Sequence, residues 1–462
     1  MVLEGHLDGC EPVIYGWAWD TDNPNFVVTV DIVFSGKVFQ NIPANKFRKD
    51  LLEARKGDGR HAFAFYFPYE LLTTSFNVEV YFGNTEKHLA GSPLIYDPTM
   101  RKFFHEMNDF NVPQWDVENI LFFDNHVEIS GWALSLPNNK KGVFLLNGHP
   151  FDDVSYPFVR PDIGQRFQYI HYAEFSGFVC RAKLESTITR NRILRFDYGY
   201  VHSNKHIDTE MSDLDPIQNA WFFRLPQDSE IPLPPLKNML RVSSDGITIP
   251  RFIMLGFTFF MKINYLLEHK FGKKFSDFNK VLDWGCGCGK LARYLSEIDG
   301  PEMFGMDVDP VNISWCNENI KGMKFLSVPI SPPTSIASDF FDLIIGISVF
   351  THLNEDYQFS WLEELRRISL PGALIIVTIH GKTSMLHTGI SKEIFEKVQR
   401  YGFAVAGKNS QISDAIKNEE YYVSSFHSEQ YIRKNWSRYF DILEIIPSFM
   451  GHHDLVIMKK PS

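Results

Sequence analysis

Two aspartates bracket a glycine-rich turn. Asp283 comes first, Gly285, Gly287 and Gly289 follow at every second position, and Asp307 lies 18 residues beyond the last glycine. Glycine has no Cβ and tolerates positive φ, so such a turn lets the backbone come close to a ligand. Val281 to Trp284 reads as a short buried strand feeding the turn. Lys290 to Ile298 has helical character, which would aim free N–H groups at the same place. Asp283 stands where a dinucleotide fingerprint carries apolar residues, and a carboxylate there attracts a cation and repels a pyrophosphate. Asp307 stands where doubly wound nucleotide sites carry the acid that holds ribose hydroxyls. Together they describe a ligand with a ribose and a positive charge and no phosphate. That requirement, and GxGxG spacing in place of GxGxxG, speaks against a nicotinamide dinucleotide.

The elements that must position these residues alternate in type. Phe252 to Phe271 is predicted helical, with Phe252, Leu255, Phe259, Ile263, Leu266 and Leu267 near one face. Strand Lys280 to Trp284, helix Lys290 to Ile298, strand Met303 to Asp307, helix Pro310 to Asn319 and strand Lys324 to Ser327 follow. Strand Phe341 to Ile347, helix Glu355 to Ile368 and strand Ala373 to Ile379 complete the series. Repeated βα units of this length predict an α/β Rossmann-like domain, a mostly parallel sheet covered by helices on both faces, with its ligand at the carboxyl ends of the strands.

The N-terminal half has another period. Short alternating runs, Pro12 to Trp19, Val27 to Phe34, Ala62 to Phe67 and Phe76 to Phe82, are separated by turns such as Asp22-Asn23-Pro24-Asn25 and Gly57-Asp58-Gly59. Period-two alternation of this kind predicts an all-β, sandwich-like module over 1–98. Residues 99–228 repeat its landmarks in order: Gly16-Trp17-Ala18 with Gly131-Trp132-Ala133, Arg48/Asp50 with Arg160/Asp162, and His61-Ala62-Phe63 with Ser176-Gly177-Phe178. A second β module is therefore expected. Trp17, Trp19 and Trp132 read as core tryptophans, with sugar stacking as the alternative. The proline-rich stretch 226–235 favours an extended spacer and sets the boundary to the third domain, 229–462.

Composition removes several classes. The chain has 462 residues, 44% hydrophobic and 15% aromatic with 41 Phe, enough for several cores. A net charge of -10 without a long Lys/Arg run opposes nucleic-acid binding. No secretory leader is expected at Met1 to Cys10, and Phe252 to Leu267 is too short and too polar for a membrane span. Cys10, Cys180, Cys286, Cys288 and Cys316 are an odd count that fits reduced thiols in a cytoplasmic protein. Cys286-x-Cys288 lacks a second Cys or His pair at zinc spacing, so no metal site is expected.

S-adenosylmethionine is a ribose-bearing cation without phosphate, and Val281 to Lys290 resembles motif I of the class I S-adenosylmethionine-dependent methyltransferases. Gly305-Met306-Asp307 resembles their acidic motif and Phe341 to Ile345 their fourth strand. Gly346 to Leu353 (containing SVFTHL), Trp361 to Arg367 and Pro371-Gly372-Ala373 are similar to a bacterial subgroup of that family. The resemblance spans about 240–462. It implies that Gly285, Cys286, Gly287 and Gly289 lie along the cofactor's methionine and ribose. It further implies that Asp283 reaches the amino group through water, Asp307 both ribose hydroxyls and Val308 the adenine, and that Ser348 borders the sulfonium. At Ser327-Val328-Pro329-Ile330 the acid or amide that often holds the adenine amine is missing.

A sulfonium methyl is already activated, so placement of the acceptor is the main requirement, and a hydroxyl acceptor also wants a base. His352, His380, His427, His452, His453 and Asp454 are candidates, since an imidazole pKa suits proton transfer near neutrality. His352 and His452 are the preferred pair; the alternative for each is a structural histidine. Two aromatic β modules suggest a large acceptor, a hydroxyl of a glycan or of a lipid-linked glycan precursor, docked by the modules. The competing expectation is a non-catalytic scaffold that keeps a methyltransferase fold, which has no need of Asp283, the glycines and Asp307.

Overall fold

The computed structural model describes the chain except residues 1, 12, 67–73, 104–113, 135–141, 171, 185–191, 201–216, 218–219, 226–230, 244–246 and 409–420. Half of the predicted spacer 226–235, and the end of the predicted strand Ala62 to Phe67, lie outside the described residues. The chain forms two compact units, residues 1–106 with 168–171 and residues 107–167 with 172–462.

The first unit carries β1 (Leu3–Gly9), β2 (Ile14–Asp20), β3 (Thr29–Phe34), β4 (Lys37–Pro43), β5 (Ala62–Phe65), β6 (Phe76–Phe82) and β7 (Leu94–Tyr96). They make two antiparallel sheets, ordered β1-β2-β5 and β4-β3-β6-β7. Alternation along each strand sends Leu7, Ile14 and Ala18 of one sheet and Val30, Ile32, Val78 and Val80 of the other into a single apolar cluster.

The second unit begins with the same plan. It uses β8 (Trp115–Phe123), β9 (His126–Ala133), β10 (Gly142–Leu146), β11 (His149–Pro150), β12 (Asp153–Val159), β13 (Phe175–Lys183), β14 (Ile193–Tyr200) and β15 (Ala220–Arg224). The sheets are ordered β12-β13-β9-β8 and β11-β10-β14-β15. The repeated sequence landmarks occupy equivalent positions. Gly16 pairs with Phe63 and Trp17 with Ala62; Gly131 pairs with Phe178 and Trp132 with Gly177. A Cβ at Gly16 would lie 2.2 Å from the His6 carbonyl oxygen, and one at Gly131 2.0 Å from that of Asp116, so only glycine fits either place. Arg48 binds Asp50 at 2.6 Å and also Asp8 on β1, while Arg160 binds Asp162 at 2.7 Å and Glu118 on β8 at 2.8 Å. These forks tie a short helix, Lys49–Glu53 or Pro161–Arg166, back to the first strand of each block. Trp132 is fully buried, so sugar stacking does not apply to it. Trp17 and Trp19 are half-buried, with the Lys56 ammonium 4.2 and 5.4 Å from their ring centres.

A long helix, Ile249–Phe271, joins the second β block to the C-terminal region. Thr248 caps its start and Gly272, in the left-handed conformation at φ 60°, ends it. Thr258 accepts from the Phe222 N–H at 2.8 Å and donates to the Phe222 carbonyl at 3.0 Å, locking the helix to β15. Ala220 and Phe222 share an apolar cluster with Phe257, Ile263 and Leu266, and Met254 packs into the core of the second β block.

Beyond the helix lie β16 (Lys280–Trp284), β17 (Glu302–Asp307), β18 (Met323–Ser327), β19 (Phe341–Gly346), β20 (Ser369–Ile379), a two-stranded ribbon of β21 (Phe403–Lys408) and β22 (Val423–His427), then β23 (Asp441–Met450) and β24 (His453–Lys459). One seven-stranded sheet runs β18-β17-β16-β19-β20-β24-β23, parallel except that β24 is antiparallel to both its neighbours. Strand order reverses between β16 and β19, which opens a crevice at their carboxyl ends. Trp361 and Glu364 of the helix Glu355–Ile368 are buried beneath the sheet. Trp361 packs 5.3 Å from Trp284, and Glu364 accepts from the Thr334 N–H at 2.8 Å and from Arg367 at 2.7 Å. The Trp361 to Arg367 segment thus secures the fold. The helix predicted over Lys290 to Ile298 is shorter, Ala292–Leu295, because the turns of the glycine loop run on to Leu291, which has no capping side chain. No described helix is long and apolar enough to cross a membrane.

Candidate active site

A cavity of about 440 Å³ occupies the crevice. Asp283 to Gly287 from the end of β16, Asp307 to Asp309 from β17, Val328 from β18, and Ile347 to Val349 and His352 from beyond β19 line it. His380 after β20, His387 on the helix Lys382–Thr388, and Met450 to His453 between β23 and β24 add to the lining.

The glycines have distinct jobs. All three have positive φ: 74° at Gly285, 52° at Gly287 and 81° at Gly289. A Cβ on Gly285 would meet Val349 at 2.3 Å and one on Gly287 would meet Val242 at 2.5 Å, so the loop passes tightly between two walls of the cavity. Gly289 does not line it: a Cβ there would strike Ile320 at 2.4 Å, so that glycine lets the loop pack on the helix Pro310–Asn319 and its C-terminal extension. Cys286 is buried, as are all five cysteines, none of them in a disulfide.

The two acids differ in how they are satisfied. Asp307 accepts from the Gly287 N–H and from the Asp309 N–H, both at 2.8 Å, so it braces the glycine loop. Burial still pushes its carboxyl up to about 6. Asp283 is 3% exposed and its Oδ2 has no partner among the described residues. Burial, with the Asp307 charge nearby, pushes its carboxyl up to about 8. An orphaned buried carboxylate oxygen at a cavity wall is a site that a cationic group would satisfy.

Ser348 sits at φ 59°, held by its N–H to Thr378 Oγ1 at 2.8 Å, and its hydroxyl lies 3.2 Å from His453 Nδ1. His352 Nδ1 donates to the Val423 carbonyl at 3.0 Å, its ring stacks on Tyr422 at 4.5 Å, and burial lowers its pKa to about 4. His452 stacks on His387 at 4.4 Å, and burial lowers it likewise to about 4. His427 lies outside the cavity, with Nε2 on Gln358 at 2.9 Å and its ring against Trp436. Asp454 is buried and accepts from the Ser448 N–H at 3.0 Å, so it braces the turn between β23 and β24.

The lining residues that sequence reasoning missed include His387 and three further groups. Arg241, Val242 and Ser243 follow the short helix Leu236–Leu240; Arg241 pairs with Asp309 at 2.5 Å, and the Lys290 ammonium reaches Ser243 at 2.9 Å. Tyr421 and Tyr422 lead into β22. The second β block supplies the third group, Gln114, Trp115, Asp116 and Trp221. Asp116 is held at 2.7 Å by Arg251 of the long helix, and the Trp221 ring lies under Gly451, where a Cβ would be 3.5 Å away.

Residues 281–372 match the family model described as a methyltransferase domain. Comparison with curated proteins found no match. Among solved structures, an S-adenosylmethionine-dependent methyltransferase from Methanosarcina mazei is similar over 40% of this chain and 92% of its own, at 18% identity and a TM-score of 0.31. A 1,6-didemethyltoxoflavin-N1-methyltransferase from Burkholderia thailandensis, bound to S-adenosylhomocysteine, is similar over 56% and 99%, at 13% identity and a TM-score of 0.34. A methyltransferase from Mesorhizobium loti is similar over 40% and 91%, at 12% identity and a TM-score of 0.29. The domain match supports a class I methyltransferase with S-adenosylmethionine as its cofactor.

Proposed function

We propose that the chain is an S-adenosylmethionine-dependent O-methyltransferase whose acceptor hydroxyl is held at the histidine-lined end of the cavity. The single observation that carries this reading is the partnerless Asp283 oxygen, buried beside Asp307 and a glycine loop that admits no Cβ at Gly285 or Gly287. These residues fit a ribose-bearing cation. Asp283 would take the amino group, Asp307 the ribose hydroxyls, Gly285 to Gly287 the methionine side, and Val308 with Val328 the adenine. S-adenosylmethionine supplies a methyl group on a positively charged sulfur, which needs no further activation.

What the chain itself must do is place the acceptor, keep water out and take up a proton. Ser348, fixed by Thr378, stands at the boundary between the acid end and the histidine end. His352 has its Nδ1–H committed to a carbonyl, so its Nε2 is the atom free to accept a proton. A base lowered to about 4 in the empty cavity is weak at neutral pH, and an acceptor oxygen carrying partial negative charge would raise it. His452 would orient the acceptor at the same histidine-lined end.

Two N-terminal β-sandwich modules precede this domain in our reading, and the acceptor we favour is a glycan hydroxyl. Trp115, Trp221 and Gln114 support that choice, because they add aromatic and amide surface to the acceptor wall from outside the methyltransferase domain. The test is transfer of labelled methyl from S-adenosylmethionine to glycans, lipid-linked glycans and small hydroxyl compounds. Label in a glycan, lost in Asp307→Ala, is expected. Cofactor binding without transfer to any acceptor class favours the scaffold.

A further inference from the structure

His380, His452 and His453 converge at the acceptor end of the cavity. Their ligand-capable atoms all lie within 4.8 Å of one another. They come from two rigid places, the end of β20 and the turn into β24, strands that are hydrogen-bonded neighbours in the sheet. We propose that these three histidines bind one divalent transition-metal ion of the zinc class, leaving a position open toward the cavity for the acceptor's oxygen. The acceptor role rests on the methyltransferase reading, whereas the metal site itself does not.

The ring orientations carry the argument. His380 Nδ1 lies 3.1 Å from the Ser425 carbonyl, which only accepts, so Nδ1 carries the proton and Nε2 holds a bare lone pair. His453 Nδ1 is engaged by the Ser348 hydroxyl at 3.2 Å, which leaves its Nε2 for a ligand. Metal-binding imidazoles are commonly oriented in this way, one nitrogen on a carbonyl or hydroxyl and the other on the ion. The His452 backbone is pinned by the Ser384 hydroxyl, and its ring is backed by His387 at 4.4 Å. Three imidazole donors gathered within 4.8 Å of one another form a set that one cation would satisfy.

Distances also suit an ion. Zn–N bonds of about 2.0 to 2.1 Å place neighbouring nitrogens about 3.3 Å apart in a tetrahedral site. From 4.8 Å or less, small side-chain rotations close that gap. Imidazole nitrogen favours zinc, cobalt, nickel or iron over magnesium or calcium, and three histidines with one open position is the donor set of catalytic zinc. The nearest cations include Arg251, whose charge is balanced by Asp116 at 2.7 Å. The sequence concealed the site because 72 residues separate His380 from His452.

The test uses the full chain after dialysis against a chelator. Titration with Co²⁺ is followed by visible absorption, with Zn²⁺ calorimetry and S-adenosylhomocysteine calorimetry on the same sample. One equivalent of metal and a nitrogen-ligand spectrum without thiolate charge transfer are expected. His380→Ala and the milder His453→Gln should each weaken metal binding about 100-fold or more while cofactor binding stays within a few-fold, which also reports folding. Absence of stoichiometric metal in a chain that binds the homocysteine analogue overturns the site, as does unchanged metal affinity in both variants. Metal binding without cofactor binding upholds the site and instead removes the methyltransferase reading.

Discussion

The two β blocks share a strand plan, a glycine under a phenylalanine ring and an Arg/Asp fork, yet they stand differently to the chemistry. In the first block Trp17 is half-buried beside Lys56 and the forked Arg48 is partly exposed. In the second, the equivalent Trp132 is fully buried against Phe167 and His387, and Trp115, Asp116 and Trp221 face the cavity. One copy of the fold thus contributes residues to the wall of the cavity. The difference lies in what covers each sheet and in one added strand, β12, which pairs with β13 where the first block has only a bridge between Lys46 and Ala62.

Removing residues 1–230 should have the largest effect. It strips Ala220, Phe222 and Trp221 from the long helix, exposing Met254 and part of the face that carries Phe257 and Ile263. The truncated chain should aggregate or lose cooperative melting by circular dichroism; a sharp native-like melt would break the account of a shared core. Trp132→Ala should cost about 3 to 5 kcal/mol, as for other buried aromatics, and Trp17→Ala about 1 kcal/mol. Paired denaturant titrations check this, and equal costs would erase the contrast between the blocks.

Asp283 sharpens the contrast from the site's side. Its carboxyl is raised above the unfolded value of about 3.9, so the folded state binds that proton more tightly than the unfolded one. The cofactor-free protein should therefore lose stability as pH rises from about 4 to about 8 and level off above. Asp283→Asn should remove that loss and raise the melting temperature by about a few degrees at pH 8.5, while weakening cofactor binding. An unchanged pH profile in scanning calorimetry would deny Asp283 this role. Smallest of all, Arg48→Ala and Arg160→Ala should each cost about 1 kcal/mol or less, Arg160 more because it is less exposed.

Much of the sheet could be read from the chain. Helices Pro310–Asn319 and Glu355–Ile368 begin at Asp309 and Asn354, whose side chains cap them, and their limits follow from that local chemistry. Strand β20 starts four residues before Ala373, at Ser369, because pairing with β19 extends it past Pro371-Gly372. Asp283, Gly285, Cys286, Gly287, Asp307, Val308, Ser348, His352 and His452 were marked by spacing and resemblance, and all line one cavity. Arg241, Tyr421, Trp115 and Trp221 carried no such mark. They reach the cavity through folding of distant segments, which no local period records. The histidine cluster was half legible: His452 and His453 are adjacent, but only the neighbouring places of β20 and β24 bring His380 to them.

The claim at the centre is that the orphaned Asp283 carboxylate receives a cation. Calorimetry of S-adenosylhomocysteine binding at pH 7, in buffers of different ionisation enthalpy, tests it directly. A carboxyl raised to about 8 is mostly protonated at that pH, and pairing with the ligand's ammonium should drive its proton off. The account predicts binding with release of about one proton, lost in Asp283→Asn. Binding with the same enthalpy in every buffer, or no binding at all, would contradict it.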